Sequence, residues 1–217
     1  MIATVIFDFD GTIINTNDLI KEGLNLIANK HRGCPLTPME LEILTGKTLE
    51  AQMAYIDAIH FDGLIEEFKR WYGHNHDTMA RPFPGMVHLI RVLNELGYKI
   101  GIVTNNSRIA LDMGLKLLGI DQWIDCSITR DDVKETKPSP EGILKALSTL
   151  GVDIDEVLFI GDTAHDILAA KAANVNNALV GWSHLSPEMR EQLGPDHIFE
   201  SAENVLDIII ETNCEVA

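Results

Sequence analysis

Apolar and polar positions follow two different periods along the chain. Residues 2–7 form an almost continuous run of apolar, mostly β-branched or aromatic side chains, which predicts a strand buried on both faces. Over residues 17–78 the apolar positions instead recur at helical spacing, and that stretch contains no convincing strand pattern. Within it, Thr37-Pro38-Met39-Glu40 has the residues of a capping box, so one helix is expected over about 38–45 and another over about 49–59.

The chain beyond residue 82 alternates between strand-like and helix-like segments. Three of these helices end in Leu-Gly, as expected where a glycine caps a helix C-terminus. The predicted strands cover about 99–103, 124–128, 157–160 and 178–180, and the predicted helices cover about 87–96, 109–118, 139–150, a segment starting at 162 or 163, and 202–210. This alternation implies βαβ units, and therefore an α/β fold with a Rossmann-like parallel sheet and helices on both faces.

The all-helical stretch lies between the first predicted strand and the remaining ones, so it is expected to be a small insert in the α/β domain. The connector that follows it, Arg81-Pro82-Phe83-Pro84-Gly85, is stiff, with two prolines and a glycine in five residues. We therefore expect residues 1–15 and 82–217 to form the core domain, and residues 16–81 to form the insert.

The composition excludes several partners. With 17 basic and 33 acidic residues the formal charge is −16, which argues against a nucleic acid or an anionic membrane as a partner. Cys34, Cys126 and Cys214 lack metal-ligand spacing and leave one unpaired thiol in any disulfide scheme, which indicates reduced thiols and a cytoplasmic location. The N-terminal apolar run ends at Asp8, too early for a signal peptide, and no apolar stretch would span a membrane. A monomer is favoured, although the sequence does not determine the oligomeric state.

Polar side chains follow several of the predicted strands, where ligands of parallel sheets bind. Asp8 and Asp10 come first, and because they are two residues apart on an extended chain they point the same way. Two buried acids on one face need a cation, a proton or a ligand; taken alone, the pair fits a polar turn or an active site equally well. The other strand ends and loops carry Thr104, Asn105, Asn106, Lys137, Asp162 and Asp166. Together they favour a phosphate or metal site.

Four stretches in order resemble the motifs of the haloacid dehalogenase-like hydrolase superfamily: Asp8-Phe-Asp-Gly-Thr12, Val103-Thr104-Asn105, Lys137-Pro138 and Gly161-Asp-Thr-Ala-His-Asp166. They span the chain, and the helical insert stands where that family carries a C1-type cap. The resemblance implies a Mg²⁺-dependent phosphohydrolase that acts through an aspartyl-phosphate intermediate. An aspartate at position 10 is similar to the phosphatases of the family, not to its dehalogenases.

The same resemblance implies a role for each site residue. Asp8 would be the nucleophile, Asp10 the general acid and then the base, and Lys137 a cation that offsets the charge gathered there. The implied Mg²⁺ ligands are Asp8, the backbone carbonyl of Asp10, Asp162 and, through a bound water, Asp166. The implied substrate contacts are Gly11, Thr104, Asn105 and, from the cap, Lys47.

Each of these residues also has a structural interpretation. Asp162 could be a helix N-cap, and Lys137 and Lys47 could be ordinary surface lysines. Among residues outside the motifs, His74 and His76 are expected on a solvated face of a cap helix. His165 is expected to face solvent or pack, and Trp182 is expected to pack.

The substrate is expected to be a small phosphorylated molecule or pyrophosphate. Within the superfamily the chain is similar to phosphoglycolate phosphatases and, in Gly11–Asn17, Gly114–Leu118 and Trp182 followed by Ser186–Met189, to bacterial inorganic pyrophosphatases. One alternative is a phosphoglucomutase-type phosphotransferase, whose fourth motif tends to carry adjacent acids, whereas Asp162 and Asp166 are four apart. The other is a non-catalytic regulator that binds phosphate and Mg²⁺, against which the four intact motifs argue.

Overall fold

The computed structural model describes residues 1–215, which form two compact units: Met1–Ile14 together with the chain from Pro82 onward, and Asn15–Arg81. The strands are β1 (Thr4–Phe7), β2 (Ile14–Asn15), β3 (Arg81–Pro82), β4 (Lys99–Val103), β5 (Cys126–Ile128), β6 (Val157–Gly161), β7 (Asn176–Val180) and β8 (His197–Phe199). The helices are α1 (Asn17–Arg32), α2 (Pro38–Leu44), α3 (Leu49–Ile56), α4 (Phe61–Met79), α5 (Met86–Glu95), α6 (Arg108–Leu118), α7 (Glu141–Leu150), α8 (Ala164–Ala172), α9 (Pro187–Leu193) and α10 (Ala202–Glu215).

The larger unit is built on a sheet in which β5, β4, β1, β6, β7 and β8 lie side by side in that order, each neighbouring pair parallel. Strand β1 is central, with Phe7 opposite Ile102 on one side and Ile160 on the other. All four residues of β1 are buried, as expected of a strand with both faces covered. The predicted α/β class is confirmed, and the carboxyl ends of β4, β1 and β6 are adjacent.

Helices α7 and α8 pack on the sheet through one apolar cluster. Ile143 of α7 and Ala169 of α8 share this cluster with Ile6 of β1 and Phe159 of β6, all fully buried. Burying a large apolar side chain stabilises a fold by about 1.5–3 kcal/mol, so this packing holds the strand ends at a fixed spacing. The three Leu-Gly helix ends are also confirmed. Helices α6 and α7 are each followed directly by a glycine with positive φ, and α5 by Leu96 and then Gly97, which also has a positive φ.

The smaller unit consists of α1 to α4, which confirms the predicted helical insert. The capping box at the start of α2 is present: Thr37 Oγ1 accepts from Glu40 N at 3.3 Å, and Glu40 Oε2 accepts from Thr37 N at 2.8 Å. Helix α3 ends at Ile56, earlier than the expected end near residue 59. The Asp57 carboxylate explains the early end, because it accepts from Ile59 N at 2.9 Å and offers the backbone an alternative to the helix.

The two histidines of α4 differ in their surroundings. His74 is exposed, as predicted, but the expected solvated position of His76 is wrong, because only 1% of its surface is exposed. The His76 ring lies 5.3 Å from the Tyr72 ring, and its Nδ1 is 2.8 Å from Asp77 Oδ1. His76 continues the buried face of α4 that Phe68 and Tyr72 begin at four-residue spacing.

Other differences from the predicted elements are local. Strand β5 begins at Cys126 and not near residue 124, because Asp121–Trp123 form a 3₁₀ turn before it. Helix α9 and strand β8 were not predicted, although Ser186 and Pro187 are typical residues for a helix start. In the part of the chain that the structure describes, no helix combines the length and apolar character needed to cross a membrane.

Candidate active site

The site begins where β1 ends. The Asp8 N–H donates to the Ile160 carbonyl at 2.8 Å, so the sheet pairing continues one residue past β1 and fixes the Asp8 backbone. The Asp8 side chain is almost completely buried, and its Oδ1 accepts from Lys137 Nζ at 2.6 Å. A buried carboxylate is therefore held directly against a buried ammonium at the end of the central strand.

Lys137 reaches this position from the loop before α7. Its Nζ donates to Asp8 Oδ1 at 2.6 Å, to Asp166 Oδ1 at 2.5 Å and to the Val103 carbonyl at 2.9 Å, which uses all three ammonium protons. The Asn105 side chain fixes the loop, because its Nδ2 donates to the Lys137 carbonyl at 3.0 Å and its Oδ1 accepts from the Lys137 N–H at 2.9 Å. Lys137 is not the ordinary surface lysine of the alternative interpretation.

The fourth motif contributes two further acids. Asp166 lies in the first turn of α8, where its Oδ2 accepts from Thr163 N at 2.9 Å and from Thr163 Oγ1 at 2.6 Å. Asp166 therefore caps α8 with one oxygen and binds Lys137 with the other. Asp162 is not the N-cap, since Thr163 occupies that position; its Oδ1 accepts from Thr12 Oγ1 at 3.3 Å.

The acids are close enough to share a cation. Asp8, Asp162 and Asp166 each place a carboxylate oxygen within 4.8 Å of the other two. Burial raises the pKa of Asp8 to about 7, although Lys137 acts against the rise. Burial, together with Asp8 and Asp166, also raises the pKa of Asp162 well above its ordinary value. Burial alone would lower the pKa of Lys137, but Asp166 and Asp8 outweigh it and raise that pKa.

The charges in this group do not balance. When its members are ionised, the acidic group of Asp8, Asp162 and Asp166 carries three negative charges, and the buried Lys137 opposes them with one positive charge. Buried ions are costly unless they are compensated, so the excess favours a doubly charged cation. Carboxylate oxygens are the ligands that hard divalent cations prefer, and the donor set therefore fits such an ion.

Gly11 makes the close approach of the first and fourth motifs possible. Its φ is +88°, and a Cβ at this position would lie 2.3 Å from Asp162 Oδ2, far inside a normal contact. A glycine is required for both reasons. The Gly11 N–H donates to the Ile14 carbonyl at 2.8 Å, and its predicted contact with substrate stays a prediction.

The remaining predicted residues of the core lie beside this group. Asp10 is half-buried, and its Oδ2 accepts from Asn106 Nδ2 at 3.1 Å. Thr104 is buried at the end of β4, where its N–H donates to the Ile128 carbonyl and its Oγ1 accepts from Asn106 N at 3.0 Å. The predicted contact of Thr104 with substrate stays a prediction.

Two further residues considered from the sequence are Lys47 and His165. Lys47, between α2 and α3, belongs to the smaller unit, and its contact with substrate stays a prediction. His165 is half-buried in the first turn of α8, as the packing interpretation expects.

Sequence reasoning missed the loop after β7. Trp182 Nε1 donates to the Gly11 carbonyl at 3.0 Å while its ring stacks on Phe83 at 5.2 Å, so the expected packing role is only part of its contacts. Ser183 Oγ donates to the Asp162 carbonyl at 2.5 Å. Both residues follow the end of a parallel strand. The sequence already placed Trp182 there but favoured a packing role for it, and the same rule applied to the next residue would have identified Ser183.

An α/β sheet with these four motifs at its strand ends defines a class, the haloacid dehalogenase-like hydrolases. A sequence model described as "Haloacid dehalogenase-like hydrolase" matches residues 5–180, and the chain belongs to that family. The resemblance found in the four motifs is thereby confirmed.

Named relatives cover nearly the whole chain. Pyrophosphatase PpaX of Anoxybacillus flavithermus is 36% identical over 208 residues, which is 96% of this chain and 97% of the relative. Pyrophosphatase PpaX of Halalkalibacterium halodurans is 34% identical over 209 residues, with the same coverage of each chain. Among solved structures, a candidate phosphoglycolate phosphatase of Lactobacillus plantarum superposes with a TM-score of 0.84 at 26% identity, covering 95% of this chain and 99% of the other.

Proposed function

We propose that this chain is a Mg²⁺-dependent phosphohydrolase whose preferred substrate is inorganic pyrophosphate. The observation that carries the proposal is the buried Asp8 carboxylate, held by Lys137 at 2.6 Å within a group of three acids. The substrate class comes from two relatives named as pyrophosphatases, which are 36% and 34% identical over almost the whole chain.

The first half of the proposed reaction transfers the phosphoryl group to the enzyme. An oxygen of Asp8 forms a bond to phosphorus, and the bond between phosphorus and the leaving oxygen breaks with its electron pair. Asp10 gives its proton to that leaving oxygen, and the product departs, which leaves an aspartyl phosphate on Asp8 and an ionised Asp10. Lys137 stays bound to Asp8 and opposes the negative charge that develops.

The second half restores the enzyme. The ionised Asp10 takes a proton from a water molecule, whose oxygen forms a bond to the phosphorus of the aspartyl phosphate. The bond between phosphorus and the Asp8 oxygen breaks, inorganic phosphate leaves, Asp8 is again a carboxylate, and Asp10 is again protonated. Thr104 and Asn105, at the carboxyl end of β4, would bind the phosphate oxygens.

Mg²⁺ would be held by Asp8, Asp162 and the backbone carbonyl of Asp10, with Asp166 bound through water. Bound there, the ion would supply positive charge that offsets the repulsion between the acids and an anionic phosphate. The support for this site is the excess negative charge of the acidic group and its burial. Burial raises the pKa values of Asp8 and Asp162, so their ionised forms are costly unless a cation compensates them.

The test is phosphate release from pyrophosphate, phosphoglycolate, sugar phosphates and nucleotides, compared by kcat/KM with saturating Mg²⁺. We expect the highest value for pyrophosphate, and a loss of about 10³-fold or more in Asp8→Asn on every substrate. If Asp8→Asn keeps its activity, the assignment of the nucleophile is wrong. If the wild type releases no phosphate from any of them, the proposal fails and the alternative of a non-catalytic regulator is favoured.

A second candidate substrate is phosphoglycolate, which the likeness to the Lactobacillus plantarum structure favours. The same panel separates the two substrates. A phosphotransferase is disfavoured, because Gly161 and Thr163 flank Asp162 and no second acid is adjacent to it.

We also keep the prediction of a cytoplasmic monomer. The cytoplasmic location agrees with Cys34 and Cys126, which are free thiols within the described residues. Light scattering of the purified protein would give its mass and so test the monomer.

A further inference from the structure

Asn106 connects β4 to α6 and has no role in the reaction described above. Each of its polar groups is hydrogen-bonded: its N–H donates to Thr104 Oγ1 at 3.0 Å, and its carbonyl accepts from Arg130 N at 3.1 Å. Its side-chain Oδ1 accepts from Ser107 N at 2.9 Å, and its Nδ2 donates to Asp10 Oδ2 at 3.1 Å. The side chain is therefore fixed at both ends.

These contacts define which way the Asn106 amide points. A backbone N–H can only donate, so the amide atom that faces Ser107 N must be the oxygen. The amino group then faces Asp10 and offers it a donor that cannot be exchanged for an acceptor. The Asp10 oxygen that receives this bond, Oδ2, is the one less suited to carry a proton.

We propose that Asn106 is a positioning residue for the general acid of the reaction. By holding Asp10 at Oδ2, it assigns both proton transfers to Oδ1. In the first half, the proton on Oδ1 passes to the leaving oxygen as its bond to phosphorus breaks. In the second half, Oδ1 takes a proton from the attacking water. The water oxygen bonds to phosphorus, and the bond between phosphorus and the Asp8 oxygen breaks. The proposal rests on the proposed function, because it assigns an atom to a step of that reaction.

The geometry explains why such a residue is needed. Asp10 is half-buried at the start of a turn, whereas Asp8 is buried and held by Lys137. A small displacement of a proton donor lowers the rate strongly, so the orientation of the Asp10 carboxylate matters for the reaction. Asn106, anchored to Thr104 and Ser107, restrains Asp10 without occupying the acidic group.

The test uses the dependence of the rate on the leaving group. Single-turnover rates of Asn106→Ala are compared with the wild type for p-nitrophenyl phosphate, whose leaving anion needs little protonation, and for phosphoglycolate, whose alkoxide needs a proton. General acid catalysis contributes about 10²–10⁴-fold, so a misplaced acid should lower the phosphoglycolate rate by about 10-fold or more and the p-nitrophenyl phosphate rate by less than about 3-fold. Equal losses on both substrates would overturn the proposal.

A double-mutant cycle tests whether Asn106 acts through Asp10. If Asn106 acts through Asp10, adding Asn106→Ala to Asp10→Asn should cause no further loss in the p-nitrophenyl phosphate step or the phosphoglycolate step. Losses that multiply would show an independent role and would also overturn the proposal. Asn94→Ala, at an exposed position of α5, is the matched control and should change neither rate.

Folding and the proposed function are tested separately. If Asn106→Ala melts well below the wild type, Asn106→Asp replaces it. That variant keeps an acceptor for Ser107 N, but it replaces the donor to Asp10 by a second carboxylate, which repels Asp10 and displaces it. It should show the same dependence on the leaving group. If the wild type turns over neither ester, the proposed function fails and this inference falls with it; if the wild type is active and the variant loses activity uniformly, only this inference fails.

Discussion

Gly11 lies where the first motif passes closest to the fourth. Its replacement by alanine would introduce backbone strain at φ +88° and a contact of 2.3 Å with Asp162 Oδ2. We expect Gly11→Ala to weaken Mg²⁺ binding by about 10-fold or more, because Asp162 must move away from the acidic group. Isothermal titration with Mg²⁺ measures this loss.

Gly97 provides a matched control for that prediction. Its φ of +84° is nearly the same, but a Cβ there meets nothing within 4 Å. Gly97→Ala should therefore lower the free energy of unfolding by about 1–2 kcal/mol from strain alone and leave Mg²⁺ affinity unchanged. Equal Mg²⁺ affinities for the two variants would show that the approach to Asp162 does not matter.

The pKa of Asp8 leads to a prediction about pH. Burial raises this pKa from an ordinary value of 3.8 to about 7, so the folded, metal-free protein holds a proton that the unfolded protein has lost. The contribution of Asp8 to stability is therefore full below 3.8 and is lost as the pH rises to about 7. If Mg²⁺ binds at Asp8 as proposed, it binds the ionised form and should reverse that loss.

We expect Mg²⁺ to raise the melting temperature more at pH 8 than at pH 5, measured by differential scanning calorimetry at fixed ionic strength. Asp8→Asn is the control, because it removes the group that titrates but keeps the shape of the side chain. Its Mg²⁺-induced shift should be smaller and should change less between the two pH values, with the remaining change due to Asp162, whose pKa burial also raises. The same shift at both pH values in the wild type would contradict the assignment of Asp8 as a ligand.

At the level of the elements, the loop after β7 holds the backbone of Asp162 in place. Arg190 of α9 donates to the carbonyls of Gly181, Ser183 and Leu185 at 3.1, 2.6 and 3.0 Å, and so ties this loop together. Ser183 Oγ then binds the Asp162 carbonyl. The contact fixes the backbone of a proposed metal ligand without touching its carboxylate.

Ser183→Ala should therefore weaken Mg²⁺ binding by about 10-fold, since residues that orient metal ligands typically contribute about 10–100-fold in affinity. Mg²⁺ titration followed by calorimetry would measure the effect. Ser186→Ala, in the same loop, removes the side-chain cap of α9 at Met189 N and should cost only stability. The prediction fails if both variants bind Mg²⁺ as the wild type does.

Local signals made most of the elements predictable. Strand β1 has a continuous apolar run, α2 has a capping box, and the Leu-Gly pairs mark three helix ends. Two features could not be predicted in this way. Strand β8 has three residues, which are too few to show a periodic pattern. The burial of His76 depends on which face of α4 is packed against the rest of its unit.

The same distinction applies to the site. Asp8, Thr104 and Asp162 could be predicted to converge, because polar residues at the ends of parallel strands meet at one edge of the sheet. Lys137 lies in the loop before α7, and only the resemblance of its motif placed it with them. The second role of Asp166 as the cap of α8 could not be predicted, because it requires knowing that α8 starts at Ala164 and not at Asp162. Hydrogen bonds such as those of Asn106 and Ser183 depend on how loops from separate strands meet, and no period in the sequence records this.

For the molecule as a whole, the charge opposes the function proposed for it. The chain carries a formal charge of −16, whereas its proposed substrate is an anion. Lys137, which forms ion pairs inside the acidic group, is buried and bound to Asp8 and Asp166, so the two carboxylates largely cancel its positive charge at longer range. Diffusion of pyrophosphate to the site should therefore be slowed by long-range repulsion.

Salt screens such repulsion, since the Debye length falls from about 30 Å at 0.01 M to about 10 Å at 0.1 M. We expect kcat/KM for pyrophosphate to rise about twofold or more over this range at saturating Mg²⁺, while kcat stays constant. Attraction by an exposed basic patch would instead make kcat/KM fall with salt. A fall would show that a local positive surface, and not the net charge of the protein, governs the capture of substrate.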